Sequence, residues 1–169
     1  MSDICVRPYL NGEELWVAEA HRRIYAEEYQ WGPEFSDYAA KVALDFASKP
    51  KSPREELWVA ESKGDLIGSI MLCQTEDIST GQIRLFLVEQ AYRRLGVGAA
   101  LTRTLMDKAK EAGYKALTLW TASPLTDAIR CYEKMGFRQT EHTPNTLWSL
   151  TGETVYEIKM DLDMTGDCR

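Results

Sequence analysis

The chain has 169 residues, 44% of them hydrophobic, and a formal net charge of −6. That length suits one domain able to bury roughly 70% of the surface its unfolded chain exposes, and the acidic balance argues against a life on nucleic acid, which calls for a basic face. No apolar run approaches the roughly 18 residues that span a bilayer, and the polar start Met1-Ser2-Asp3 lacks the basic and apolar regions of a signal peptide, so a cytoplasmic protein with no membrane partner is expected.

A first strand is expected over residues 4–9, then a helix over 13–28 with Val17, Ala20 and Ile24 at helical spacing. Tyr29-Gln30-Trp31-Gly32-Pro33 breaks it. In the second helix Phe35, Ala39, Val42 and Phe46 form one apolar stripe, and the proline-punctuated loop 49–54 follows. Leu57-Trp58-Val59-Ala60-Glu61 and residues 68–73, joined by Lys63-Gly64-Asp65, make a hairpin, and a third strand covers 82–88. Arg93-Arg94-Leu95-Gly96-Val97-Gly98 comes next and opens a helix with Val97, Leu101, Leu105 and Ala109 on one side, stopping near Gly113. A strand over 115–121, a helix bearing Tyr132, and strands around 137–141 and 153–161 complete the order. Strands and helices alternate only in the second half, after an antiparallel hairpin. The expected fold is therefore α/β, a mixed sheet with helices on both faces, in a single domain over 1–164 with a frayed tail over 165–169. Cys5, Cys73, Cys131 and Cys168 show no C-x-x-C pairing and His21 stands far from His142, so no metal site is expected.

The order of strand, glycine-rich turn and helix start at 83–98 builds a phosphate cradle. Glycines let the backbone turn tightly, and the first unpaired N–H groups of the helix point at whatever anion sits there. Arg93 and Arg94 supply counter-charge. A plain tight turn is the competing reading of these residues alone. Further on, Tyr132-x-x-x-Gly136-Phe137 reads as a helix whose inward face carries a phenol and which a C-terminal glycine stops.

Together these two elements resemble the Gcn5-related N-acetyltransferase (GNAT) family, whose cofactor motif is Arg/Gln-x-x-Gly-x-Gly/Ala and whose later helix ends in Tyr-x-x-x-Gly-Phe. The likeness extends to Ile4-Cys5-Val6-Arg7-Pro8, the 57–61 strand, its Lys63-Gly64-Asp65 turn and the 68–73 return. It implies a mostly antiparallel central sheet, acetyl-CoA or coenzyme A as cofactor, and direct transfer of an acetyl group to the primary amine of a small molecule. The pyrophosphate would then rest on the amides of Leu95, Gly96, Val97, Gly98 and Ala99 with the side chains of Arg93 and Arg94. Main-chain groups of Leu87 and Val88 would bind the pantetheine arm and the acetyl oxygen. Tyr132 would face the sulfur, either as an acid or through a strong hydrogen bond.

Where some relatives carry a glutamate, this chain reads Gln82-Ile83-Arg84, so the base is sought at Glu28 first, with Glu61 and Glu89 behind it. Glu28 ranks first because the family shapes its acceptor pocket from that segment. The same segment, Tyr25 to Trp31, also resembles acetyltransferase domains fused to MarR-type regulators, as do Gln82-Ile83-Arg84-Leu85 and Leu117-Thr118-Leu119-Trp120-Thr121; no DNA-binding half accompanies them, and regulation of transcription is not carried over. Thr121, Ser123 and Thr126 stand where many relatives have an asparagine for the cofactor. Tyr25, Tyr29, Trp31, Arg84 and Trp120 are expected to line the acceptor pocket. Arg84, a cation in an apolar strand, either grips an acceptor carboxylate, making the substrate amino-acid-like, or pairs internally with Glu61 or Glu28. A non-catalytic acyl-CoA-binding module and a protein or peptide acetyltransferase are the alternative functions, and pairing of two copies through a sheet edge near the C-terminal strands is the expected form of any homodimer.

Overall fold

β1 (Ile4–Pro8), α1 (Glu13–Tyr29) and α2 (Pro33–Ser48) precede a hairpin of β2 (Glu56–Ser62) and β3 (Asp65–Gln74) in the computed structural model, which describes residues 3–166. β4 (Thr80–Val88), a single 3-10 turn (Gln90–Tyr92), α3 (Val97–Glu111), β5 (Ala116–Ala122), α4 (Thr126–Lys134), β6 (Arg138–Asn145) and β7 (Val155–Asp163) follow. Cys168 and positions 167–169 of the expected tail lie outside the described residues. The strands form one seven-stranded sheet in the order β1-β2-β3-β4-β5-β7-β6. Only β4 and β5 run parallel, so the sheet is mixed and mostly antiparallel.

Both faces of the sheet are covered. Val97, Leu101, Leu105 and Ala109 of α3 pack on Ile70, Leu72, Ile83, Leu117 and Leu119, and Val17, Ala43 and Phe46 of α1 and α2 pack on Leu57, Val59, Met71 and Cys73. β2 is consequently buried at Leu57, Trp58, Val59 and Ala60 in succession, the pattern of a strand with helices above and below. Each such aliphatic side chain contributes about 1.5 to 3 kcal/mol on burial. β6 forms one outer edge; it is exposed along most of its length and contains Pro144, which has no N–H to offer a further strand.

The parallel pair parts midway. β4 and β5 are joined from Thr80↔Ala116 to Ile83↔Leu119 and no further, while β5 continues along β7 to Ala122↔Glu157. A bulge in β4 accounts for the divergence. Register with β3 jumps from Met71↔Arg84 to Ser69↔Leu87, and Leu85 takes φ 52°, a left-handed conformation uncommon for a branched residue. The Ser69 hydroxyl holds it there by donating to the Leu85 carbonyl at 2.7 Å. A bulge bends its strand and increases the local twist, so the second half of β4 swings away from β5 and leaves a gap.

Candidate active site

The gap is where main-chain groups become available. The Glu89 N–H bonds the Ile67 carbonyl on the β3 side at 2.8 Å, and peptide groups alternate along an extended strand, so the Val88 peptide faces the opposite, β5 side. Leu87 faces the other way. A Cβ built on Gly68 of β3 would lie 2.9 Å from the Leu87 carbonyl oxygen, and the Leu87 side chain packs under α1 with Ala20 and Ile24. Of the two residues expected to offer backbone to a ligand, the geometry turns Val88 toward the gap and Leu87 into the sheet and core.

Past the strand end, Arg94 (φ 65°) and Gly96 (φ 89°) both take left-handed conformations, and α3 starts at Val97 with no side-chain cap. The first-turn amides are therefore left without intrahelical acceptors at the positive end of the helix dipole, an arrangement that fits a diphosphate. Gly96 is needed for its φ, since nothing lies within 4 Å of a Cβ there; at Gly98 a Cβ would press on the edge of Phe86 at 3.3 Å. Gly98 thus serves the packing of the gap wall as well as the turn.

The two arginines divide their work. Arg93 forks onto Glu28, Nη1–Oε1 at 2.7 Å and Nη2–Oε2 at 2.8 Å, and its Nε donates to the Val88 carbonyl at 3.1 Å. Arg94 is exposed, and among the described residues it has no hydrogen-bond or ion-pair partner. Arg94 is the free cation at the cradle.

The same pairing revises the expected base. Glu28 is held by Arg93, Glu61 by Arg7 at 2.5 Å, and Glu89 by Arg23 at 2.5 Å. None of these three carboxylates lines the cavity described next, and each is already engaged in a charge-assisted pair with an arginine.

On the α1/α2 face of the gap lies a cavity of about 520 Å³. Its floor is Gln82 to Phe86 of β4 and Trp120 to Ala122 of β5, and Tyr25, Trp31 and Trp148 stand on its walls. The roof is tied together by backbone: Gly32 N–H to the Trp148 carbonyl and Leu150 N–H to the Gln30 carbonyl, both at 2.8 Å, with a bridge between Trp31 and Ser149. Tyr25 and Trp31 stack at 5.3 Å and 7°, and Trp148 meets Trp31 at 5.0 Å. Tyr29 packs behind this group, 5.4 Å from Trp31, and does not line the cavity. Trp120 is 43% exposed at the cavity mouth.

Tyr132 projects from α4 into this space, its ring 5.8 Å from Phe86 and 5.9 Å from Phe137. Burial pushes its phenol well above the usual tyrosine range, with the nearby Tyr25 adding in the same direction. The hydroxyl stays protonated and is a better hydrogen-bond donor than proton donor.

Arg84 reaches the cavity from β4. Its Nη2 donates to the Tyr38 hydroxyl at 2.6 Å and its guanidinium lies 5.6 Å from the Tyr38 ring. Neither internal partner considered for it, Glu61 or Glu28, is available, and among the described residues Arg84 forms no ion pair.

Several lining residues had no sequence signal: His21, Glu34, Tyr38, Asn145, Trp148 and Glu157. They come from α1, α2 and the β6–β7 end of the sheet, and only the tertiary fold brings them together. Asn145 of β6 donates to Glu157 of β7 at 3.0 Å, a diagonal contact, since Asn145 stands opposite Val155 and Glu157 opposite Thr143.

Residues 17–137 match the model of the acetyltransferase (GNAT) family. Over 131 residues the chain is 30% identical to N-acetyltransferase 8B of Rattus norvegicus, covering 72% of this chain and 59% of that protein. The chain spans about half the length of the curated relatives it matches. Among solved structures, an acetyltransferase of the GNAT family from Staphylococcus aureus superposes with TM-score 0.79 at 17% identity, over 96% of this chain and 99% of that one. yncA of Salmonella typhimurium, solved with its cofactor acetyl-CoA, superposes with TM-score 0.71 at 17% identity, over 98% and 96%. The two superpositions bear on the fold, and the family match spans most of the sequence including the cradle and Tyr132; this chain belongs to the acetyltransferase (GNAT) family.

Proposed function

We propose that the chain is an acetyl-CoA-dependent N-acetyltransferase whose acceptor is a small primary amine carrying a carboxylate, as an amino acid does. The observation that carries this reading is the course of the gap: the cradle stands at one end, Tyr132 on its wall, and the aromatic cavity over the bulge of β4. The cavity volume of about 520 Å³ falls in the range of small-molecule sites. Names of relatives, N-acetyltransferase 8B in rat and the acetyl-CoA complex of the Salmonella protein, support the same chemistry.

In this reading the first-turn amides of α3 and the Arg94 side chain hold the pyrophosphate, with Arg93 fixing α1 against the loop. Acetyl-CoA supplies the activated acetyl group. The Val88 N–H, facing the gap, donates to the acetyl oxygen, a contact commonly worth about 3 to 4 kcal/mol as charge develops there. Tyr132 donates a hydrogen bond to the departing sulfur. Arg84, with Tyr38 bracing it, takes the acceptor carboxylate; Glu34 and Glu157 attract its ammonium; and Tyr25, Trp31 and Trp148 take an apolar or aromatic body.

Thiol release from acetyl-CoA, measured with phenylalanine and with 2-phenylethylamine, tests this directly. The expected result is N-acetylation of both, with kcat/KM at least about tenfold higher for phenylalanine, or about 1.4 kcal/mol. Release stimulated by neither amine would contradict the acetyltransferase reading, and a preference for 2-phenylethylamine would contradict the carboxylate.

A further inference from the structure

With Glu28, Glu61 and Glu89 all committed to arginines, the transfer has no proton acceptor among the carboxylates singled out from the sequence. The cavity contains one group placed for the task. His21 lies on α1, 3% exposed, one turn before Tyr25, whose ring it stacks against at 5.8 Å and 27°. Its Nδ1 is 2.7 Å from the Val17 carbonyl. A carbonyl only accepts, so Nδ1 carries the proton and Nε2 the lone pair. Among the described residues no partner meets Nε2, yet no fully buried side-chain nitrogen or oxygen lacks a partner. Nε2 therefore opens onto the cavity that His21 lines. The flanking residues fix where along β4 this happens: Ala20 and Ile24 pack on Leu87, just past the bulge and beside Val88.

We propose that His21 is the catalytic base of the transfer, its Nε2 accepting the proton that the acceptor nitrogen loses as the C–N bond forms. The inference rests on the acetyltransferase reading above. The acceptor reacts as its neutral amine, its ammonium proton having gone to solvent; the C–N bond forms and the C–S bond breaks; the remaining N–H proton passes to Nε2; Tyr132 hydrogen-bonds the sulfur, which leaves with the electron pair and is protonated by solvent; His21 then returns its proton to water. Burial pulls the imidazole down from its usual 6.5 to about 4, so Nε2 is unprotonated at neutral pH. Three charged side chains share the cavity with it, Glu34, Arg84 and Glu157. Of the two carboxylates, Glu34 sits at the exposed start of α2, and Glu157, on β7 beyond β5 from the bulge, accepts from Asn145 of β6.

The test compares two related acceptors, phenylalanine and its aminooxy analogue 2-aminooxy-3-phenylpropanoate, one atom longer toward its nitrogen, which is far less basic and loses its proton without help. His21→Gln is expected to lower kcat/KM for phenylalanine by about 10²-fold and for the aminooxy acid by less than about 3-fold. Equal losses on both acceptors would overturn the proposal, as would the basicity-dependent loss appearing in Glu157→Gln instead. Nitrogen NMR of the wild-type protein provides a readout apart from turnover: a protonated Nδ1 and a bare Nε2, with the Nε2 resonance moving when phenylalanine is added without acetyl-CoA. A protonated Nε2, or one that phenylalanine leaves unmoved, would likewise overturn it. Wild-type turnover of neither acceptor would instead count against the acetyltransferase reading on which the proposal rests.

Discussion

Glu28 and Arg93 face each other in a two-pronged ion pair, 2.7 and 2.8 Å, that joins the last turn of α1 to the loop opening α3. The pair ties α1, which helps wall the cavity, to the loop that opens α3. In the proposed reading Glu28 positions that loop and is not the base.

Glu28→Gln separates those roles. A catalytic base would lose about 10² to 10⁴ in kcat; a positioning carboxylate outside the cavity should leave kcat within about tenfold. Unfolding in urea should show the variant less stable by about 1 kcal/mol, since a partly buried Arg93 loses its charged partner.

Arg94→Gln and Arg93→Gln should separate in calorimetry with acetyl-CoA. Arg94, exposed and unpaired among the described residues, is expected to weaken binding about tenfold at low salt and by less as salt rises. Arg93, already neutralised by Glu28, should change affinity by less than Arg94 does. The reverse order would mean that the pair opens for the ligand.

Much of this site was legible locally. The run Arg93 to Gly98 between an alternating strand and an amphipathic stripe reads as a cradle because glycine conformations and helix starts are local properties, and α3 begins at Val97 as that reading requires. Tyr132 was legible for the same reason. Glu28 with Arg93, Arg84 with Tyr38, and Glu157 with Asn145 were not: they lie 65, 46 and 12 residues apart and are set by sheet order. β6 likewise runs on to Asn145 rather than stopping near 141, because β7 pairs with it that far and its own exposed, polar residues carry no alternation. His21 looked like a lone histidine, and only the cavity behind it makes it more.

Tyr132→Phe should lower kcat by about 10- to 10²-fold, less than loss of a true acid, and leave acetyl-CoA affinity within about twofold. Burial holds the phenol well above its ordinary range. The hydroxyl is therefore neutral throughout the usual assay window, and kcat should show no basic limb from this residue.

Stability should fall on the acid side because of His21. Its folded value, about 4, lies below the ordinary 6.5. Above the unfolded value the ring is neutral in both states and contributes nothing; as pH falls from 6.5 toward 4 the unfolded chain takes up a proton that the folded chain refuses. Stability then drops by about 1.4 kcal/mol per pH unit, reaching about 3 kcal/mol. Urea melts near neutral pH and near pH 4 should show this loss in the wild-type protein and its absence in His21→Gln. Glu13, held low by Arg7, adds a slope of the same sign to both and cancels in the comparison.

The central claim, that the cavity selects an amine by the carboxylate beside it, is tested most directly by Arg84→Gln assayed with phenylalanine and 2-phenylethylamine. The account predicts a KM for phenylalanine about tenfold higher, an unchanged KM for 2-phenylethylamine, and a melting temperature within about 2 °C of wild type, since Arg84 is bonded to Tyr38 and to no carboxylate among the described residues. Equal losses on both amines, or a large drop in melting temperature, would contradict it.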